Sequence, residues 1–148
     1  MFRNTYAEIH LENLKSNVEK LKDLAGDHFF CPMVKANAYG HGAVQISKAL
    51  ESLEVDGFGV ALLEEAIELK KAGLLTPILH FGPFKKEHVP IILKNSIVPV
   101  ITSYKELTDL AHFKKPVEIH LKIDTEMNRL GLKAVSYTHL TLPTICSV

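Results

Sequence analysis

Helix-like and strand-like patterns alternate along this chain almost without exception, and that alternation limits the fold more than any single residue does. A short extended run, Ala7 to Leu11, precedes a stripe of Leu11, Leu14, Val18, Leu21 and Ala25 that ends at Gly26. The run Phe29-Phe30-Cys31-Pro32-Met33-Val34 predicts a buried strand, and Ala43, Ile46, Leu50 and Leu53 predict an amphipathic helix. Gly57 to Leu62 predicts the next strand. Its helix has Glu64, Glu65 and Glu68 early and Lys70 and Lys71 late, charges that offset the helix dipole, and it stops at Gly73. Ile78 to Gly82 and Ile97 to Ile101 predict further strands, although Pro99 cannot donate a ladder hydrogen bond. Ser103 and Glu106 form a capping box for another helix, and Val117 to Asp124 predicts a last strand. Strand and helix alternating at this period mean an α/β fold with a parallel sheet and right-handed crossovers.

Val117 to Asp124 bears on whether that sheet is open or closed. Val117, Ile119, Leu121 and Ile123 share one face, whereas Glu118, His120, Lys122 and Asp124 share the other. In an open doubly wound sheet both faces are covered and apolar. A polar inner face suits a barrel with a wet mouth, and an edge strand with one solvated face suits the pattern equally well.

The first strand–turn–helix unit carries the chain's most telling residue. Lys35 ends an apolar run and is followed at once by Ala36-Asn37-Ala38-Tyr39-Gly40-His41-Gly42. That position is the C-terminal mouth of a strand, where parallel α/β proteins place their chemistry. Desolvation favours the neutral amine, a nucleophile toward carbonyls such as the aldehyde of pyridoxal phosphate (PLP). Gly40 and Gly42 would let backbone amides approach a phosphate, and the Tyr39 hydroxyl could donate to it. His41 could touch the same phosphate or cap the helix. From the spacing alone, a strand-end lysine snorkelling to water, beside a turn built on Asn37 and Gly40, is the commoner arrangement.

The string VKANAYGHGA closely resembles the cofactor-lysine motif of the alanine racemase family. Leu121-Lys122-Ile123-Asp124-Thr125-Glu126-Met127-Asn128-Arg129-Leu130-Gly131 resembles that family's second barrel signature, and Ala7 to Leu14 looks like its start. The resemblance implies a PLP-binding (β/α)8 TIM-type barrel followed by a β-rich domain. A full barrel takes about 250 residues, so this chain has room for about five of the eight units. Residues 1–133 would be the N-terminal part of the barrel, with the C-terminal β domain absent.

The resemblance also assigns roles. Lys35 would be the catalytic lysine that carries PLP. Tyr39 would contact the cofactor phosphate. Arg129 would reach the cofactor's phenolic oxygen and the substrate carboxylate, a role suited to a forked, permanently charged guanidinium. Lys122 matches a lysine that many members carry carbamylated, a change that would remove repulsion toward Arg129. Glu126 departs from the pattern, where glycine is frequent. The acid/base for the opposite face is, in the family, a tyrosine from the C-terminal domain of the dimer partner. The implied activity is racemisation of L-alanine to D-alanine for bacterial cell-wall precursors, by a cytoplasmic enzyme whose full-length form is a homodimer. A racemase of another amino acid and a non-catalytic PLP-binding homeostasis protein on a related barrel are the alternatives. The Ala38–Gly42 turn argues against the latter.

The bulk of the chain excludes other classes. Its 17 basic and 17 acidic residues leave no excess charge for nucleic acid or an anionic membrane. No apolar run approaches the ~20 residues of a bilayer span. Two cysteines make no disulfide framework, and the eight histidines show no metal spacing. The stretch Ala134 to Val148 contains no Asp, Glu, Lys or Arg and lacks a helical stripe, so residues 134–148 are expected to be a non-native tail.

Overall fold

The computed structural model describes residues 6–133, and the tail expected at 134–148 lies outside the described residues. The chain forms two compact units, residues 1–80 and 81–148.

In the first unit α1 spans Leu11–Ala25, α2 Ala43–Glu51, β1 Phe58–Val60, α3 Leu63–Lys71 and β2 Ile78–His80. Gly26 closes α1 at φ +58°, its amide donating to the Lys22 carbonyl at 2.9 Å. Helices so often end on glycine because the left-handed region lacks a Cβ penalty there. β1 and β2 are parallel, pairing Phe58 with Ile78 and Val60 with His80. Every residue of both strands is buried, which fits their mostly apolar character, with His80 the one polar residue. Phe58, Val60, Leu69 and Ile78 form the centre of this core with Val34 and Leu50. A Cβ at Gly57 would lie 2.9 Å from Leu79 Cδ1 and 3.3 Å from Phe29 Cζ, so a larger residue at the entry to β1 would make those side chains shift.

Two expected strands of this unit change form. The run Phe29–Val34 forms no strand and joins β1 only by a parallel bridge from Met33 to Gly59. Gly59 N donates to Pro32 O at 2.9 Å and Val34 N donates to Gly59 O at 2.8 Å. Pro32 has no N–H, so the ladder cannot extend through it. Ala7 to His10 form no strand, and Leu11 already belongs to α1. These residues are exposed and find no ladder partner among the described residues.

In the second unit a 3₁₀ turn at Lys86–His88 leads into α4, Val89–Lys94, with Pro90 in its first turn. β3 spans Val98–Ile101, α5 Tyr104–Ala111, β4 His120–Leu121, β5 Ile123–Asp124 and β6 Leu132–Lys133. The core gathers Val89, Ile92, Ile97, Ile101 and Leu110. Pro99 is fully buried in β3, and the parallel pairing with β4 uses Val100 and Ile101, beyond the proline. The single strand expected from Val117 to Asp124 is divided. Residues 117–119 are not strand, and the segment changes partner at Lys122. Lys122 N donates to Ile101 O at 2.9 Å, and Lys122 O accepts from Leu132 N at 2.8 Å. β5 then runs parallel to β6, pairing Ile123 with Leu132 and Asp124 with Lys133. All strand pairs within each unit are parallel, the α/β pairing that the alternation of patterns implies.

Candidate active site at the Lys35 turn

Lys35 leaves the extended run just after the bridge to β1. The backbone then enters a left-handed helical turn: Ala36, Asn37, Ala38 and Tyr39 have φ of 50°, 55°, 51° and 53°. Left-handed helix costs L-residues roughly 1–2 kcal/mol each, so four in succession store on the order of 4–8 kcal/mol. The local sequence supplies part of the restraint. Ala38 N donates to Val34 O at 2.8 Å, Gly40 N to Ala36 O at 3.0 Å and Gly42 N to Asn37 O at 2.9 Å. The Asn37 side chain accepts from Ala43 N at 2.8 Å, so it caps α2 from within the turn. His41 Nδ1–H donates to the Ala38 carbonyl at 2.9 Å.

These bonds correct one expectation. The amides of Gly40, His41 and Gly42 all donate inside the turn, so they form no phosphate cradle. The glycines are required instead by φ of +87° and +93°. His41 closes the turn through the Ala38 carbonyl instead of capping the helix that follows.

A third restraint comes from α3. Glu65 Oε1 accepts from Ala36 N at 2.6 Å, while Oε2 accepts from Ala61 N and Leu62 N at 2.9 Å each. Burial pushes the Glu65 carboxyl up, but the amides of Leu62, Ala36 and Ala61 and the Lys35 charge outweigh it and hold it below the usual value. Sequence reading credited Glu65 only with offsetting the helix dipole. It stands three residues after Leu62, where a capping-box glutamate would stand, but Leu62 has no side-chain acceptor, so the sequence carries only half of that signature.

The structure brings Lys35 and Tyr39 together, with Nζ 5.9 Å from the centre of the phenol ring. Lys35 is half-buried and Tyr39 is 60 % exposed. Lys35 shares strand parity with Phe29, which is exposed, whereas Val34, of the other parity, is in the core. A half-buried primary amine beside an exposed phenol, on a restrained backbone, is a donor set that fits a phosphorylated aldehyde such as PLP. Cys31, two residues before Met33, is not a competing nucleophile. Burial, then the Asp56 charge, pushes its thiol up to about 11.

Lys122 and Arg129 belong to the second unit. Lys122 is half-buried at the junction of β4 and β5, and Arg129 is exposed on the loop before β6. Asp124 Oδ1 accepts from Asn128 N at 3.0 Å, and Asn128 Nδ2 donates to Glu126 O at 2.8 Å. Glu126 stands at φ +83°, where glycine would be unstrained. Gly131 is confined by φ +126° and by Asp124 N, 2.9 Å from where a Cβ would lie. Among the described residues no helix is long and apolar enough to cross a membrane.

Residues 9–141 match the family described as "Alanine racemase, N-terminal domain". The alanine racemase of Fusobacterium nucleatum is 44 % identical over 129 residues, 87 % of this chain and 36 % of that protein. Alanine racemase 1 of Bacillus subtilis is 42 % identical over 135 residues, 89 % of this chain and 35 % of that protein. The structure of alanine racemase from Clostridium difficile 630 superposes with a TM-score of 0.80 at 35 % identity, covering 90 % of this chain and 36 % of the other. That from Oenococcus oeni superposes with a TM-score of 0.79 at 33 % identity, covering 87 % and 38 %. The chain thus spans little more than a third of the length of these relatives, and its fold is α/β, part of a parallel barrel.

Proposed function

The chain belongs to the alanine racemase N-terminal domain family, and from that premise we propose that it provides the cofactor-lysine part of a PLP-dependent racemase that interconverts L- and D-alanine. The observation that carries this reading is the Lys35 amine beside the Tyr39 phenol, on a left-handed turn whose strain a merely structural loop has no reason to hold. Lys35 Nζ would hold the cofactor through its aldehyde carbon, and the Tyr39 hydroxyl would donate to its phosphate. When bound, the cofactor would supply a conjugated ring that delocalises the electron pair left on the substrate α-carbon. The Lys35 amine would take the α-proton on one face or return it. Arg129 is assigned to the substrate carboxylate and the cofactor phenolic oxygen, and a carbamylated Lys122 to orienting it. The D-alanine produced would serve cell-wall precursor synthesis in a cytoplasmic homodimer. In this assignment residues 1–133 contribute barrel, and the opposite-face proton donor is a partner's tyrosine.

Reduction with borohydride in the presence of PLP, followed by peptide mapping, tests the assignment. The pyridoxyl adduct is expected on Lys35 and absent from Lys35→Ala. An adduct on another lysine, or the same reduced spectrum from both proteins, overturns it.

A further inference from the structure

The carboxylate of Glu65 makes contacts that helix capping does not require. A capping glutamate at this position needs only the amides at the start of its own helix. Glu65 satisfies those of Ala61 and Leu62 with one oxygen and sends the other to Ala36 N, 29 residues back and adjacent to Lys35. The second unit repeats the device. Glu106 Oε2 accepts from Thr102 N at 2.7 Å and Ser103 N at 3.1 Å, and its Oε1 accepts from Phe84 N at 3.4 Å. In each unit a helix-start carboxylate ties its own strand–helix loop to the loop after the preceding strand. In the first unit the loop so tied is the one that bears Lys35.

We propose that Glu65 is a positioning residue: through Ala36 N it fixes the direction in which the Lys35 side chain leaves its strand. The proposal rests on the reading of Lys35 as the cofactor lysine, and it adds the group that aims it. Glu65 touches neither the amine nor a substrate at hydrogen-bond distance. It acts through the backbone, since Ala36 is the first left-handed residue and its amide is anchored at 2.6 Å. Releasing that anchor would let the strained residues rotate toward ordinary right-handed geometry and turn the preceding side chain with them.

The test uses the full chain in four forms: wild type, Glu65→Gln, Glu65→Ala and Glu106→Ala. A glutamine at 65 keeps one acceptor oxygen for Ala61 and Leu62 and presents its amide nitrogen to Ala36 N. Amide hydrogen exchange read by NMR is expected to accelerate at Ala36 by roughly tenfold or more in Glu65→Gln, the factor for losing a charge-assisted bond, with Ala61 and Leu62 near wild type. Borohydride trapping of PLP at Lys35 is expected to slow several-fold in both Glu65 variants. Glu106→Ala, which loses the matching tie in the other unit, is expected to lose thermal stability like Glu65→Ala yet trap PLP at the wild-type rate. Unchanged Ala36 exchange in Glu65→Gln, or equal loss of trapping in Glu106→Ala, overturns the proposal. A wild-type chain whose adduct lies elsewhere than Lys35 overturns the functional reading instead, and the exchange measurement still judges the tie.

Discussion

Ala36 offers a test in which the sign of the effect, rather than its size, decides. Its φ of 50° places alanine where a Cβ is disfavoured by roughly 1–2 kcal/mol. Ala36→Gly removes that penalty and loses about 0.4–1 kcal/mol through the freer unfolded chain. Ala36 is exposed, so no packing is lost, and the net effect is a stabilisation of about 0.5–1 kcal/mol. Ala38 is a matched comparison, with φ 51° and 6 % exposure. Its methyl is buried at about 0.8 kcal/mol, so Ala38→Gly is expected to be near neutral. In a right-handed helix both changes would instead lose about 1 kcal/mol. Urea unfolding followed by circular dichroism, with the midpoint shifted and the slope unchanged, measures the difference. Ala36→Gly should also trap PLP at Lys35 more slowly, because relieving strain at a site broadens the geometry it holds. A destabilised Ala36→Gly, or an Ala38→Gly more stable than Ala36→Gly, would refute the left-handed turn as the source of the strain.

Glu126→Gly should stabilise the chain by about 1 kcal/mol in the same urea assay, since φ +83° suits glycine, and a loss of stability would show that the glutamate side chain matters more than its backbone. Glu51 accepts from Leu75 N, Thr76 N and Thr76 Oγ1 at 2.8 Å each. Burial pushes its carboxyl up, but the Thr76 and Leu75 bonds and the Lys70 charge bring it below the ordinary 4.5. A depressed carboxylate contributes stability that is complete above the unfolded value and is lost as pH falls through the folded one. Glu51→Gln should therefore flatten the fall in stability below pH 4.5, and an unchanged acid limb would contradict the assignment. With its thiol moved from 9.0 to about 11, Cys31 should alkylate near pH 8 roughly 100-fold more slowly in the folded chain than in urea, read on its own peptide. Equal rates would place Cys31 outside the buried environment.

What the sequence made legible follows from how far each signal reaches along the chain. The α1 helix ending at Gly26 and the Ser103–Glu106 capping box are local patterns and form as read, and the strands read at 57–62 and 78–82 form over the shorter spans 58–60 and 78–80. The misread segments depend on partners. Ala7 to His10 looks like strand, but an extended segment becomes one only beside another strand. Val117 to Asp124 alternates regularly, yet the alternation contains no sign that the partner changes at Lys122 from Ile101 to Leu132. The short helix Val89–Lys94 was not read from the sequence, although Pro90 in its first turn is a position that proline suits.

The Lys35 turn shows the same division within one site. Its glycines, its lysine and its tyrosine were visible, and so was the chemistry they suit. The handedness was not, because nothing in Ala36-Asn37-Ala38-Tyr39 favours positive φ except Asn37, and local preference predicts the opposite. A strain of about 4–8 kcal/mol needs an opposing interaction of similar size. One charge-assisted bond to the Glu65 carboxylate, at about 1.5–3 kcal/mol, falls on the first strained residue, and the bonds donated by Ala38, Gly40, Gly42 and Ala43 within the motif add to it. The shape of the lysine turn is thus determined in part in α3, by a residue outside the motif that advertises it. A protein carrying the Lys35 motif without a carboxylate at the Glu65 position should therefore relax the turn, and matching the motif alone does not establish the geometry at the amine.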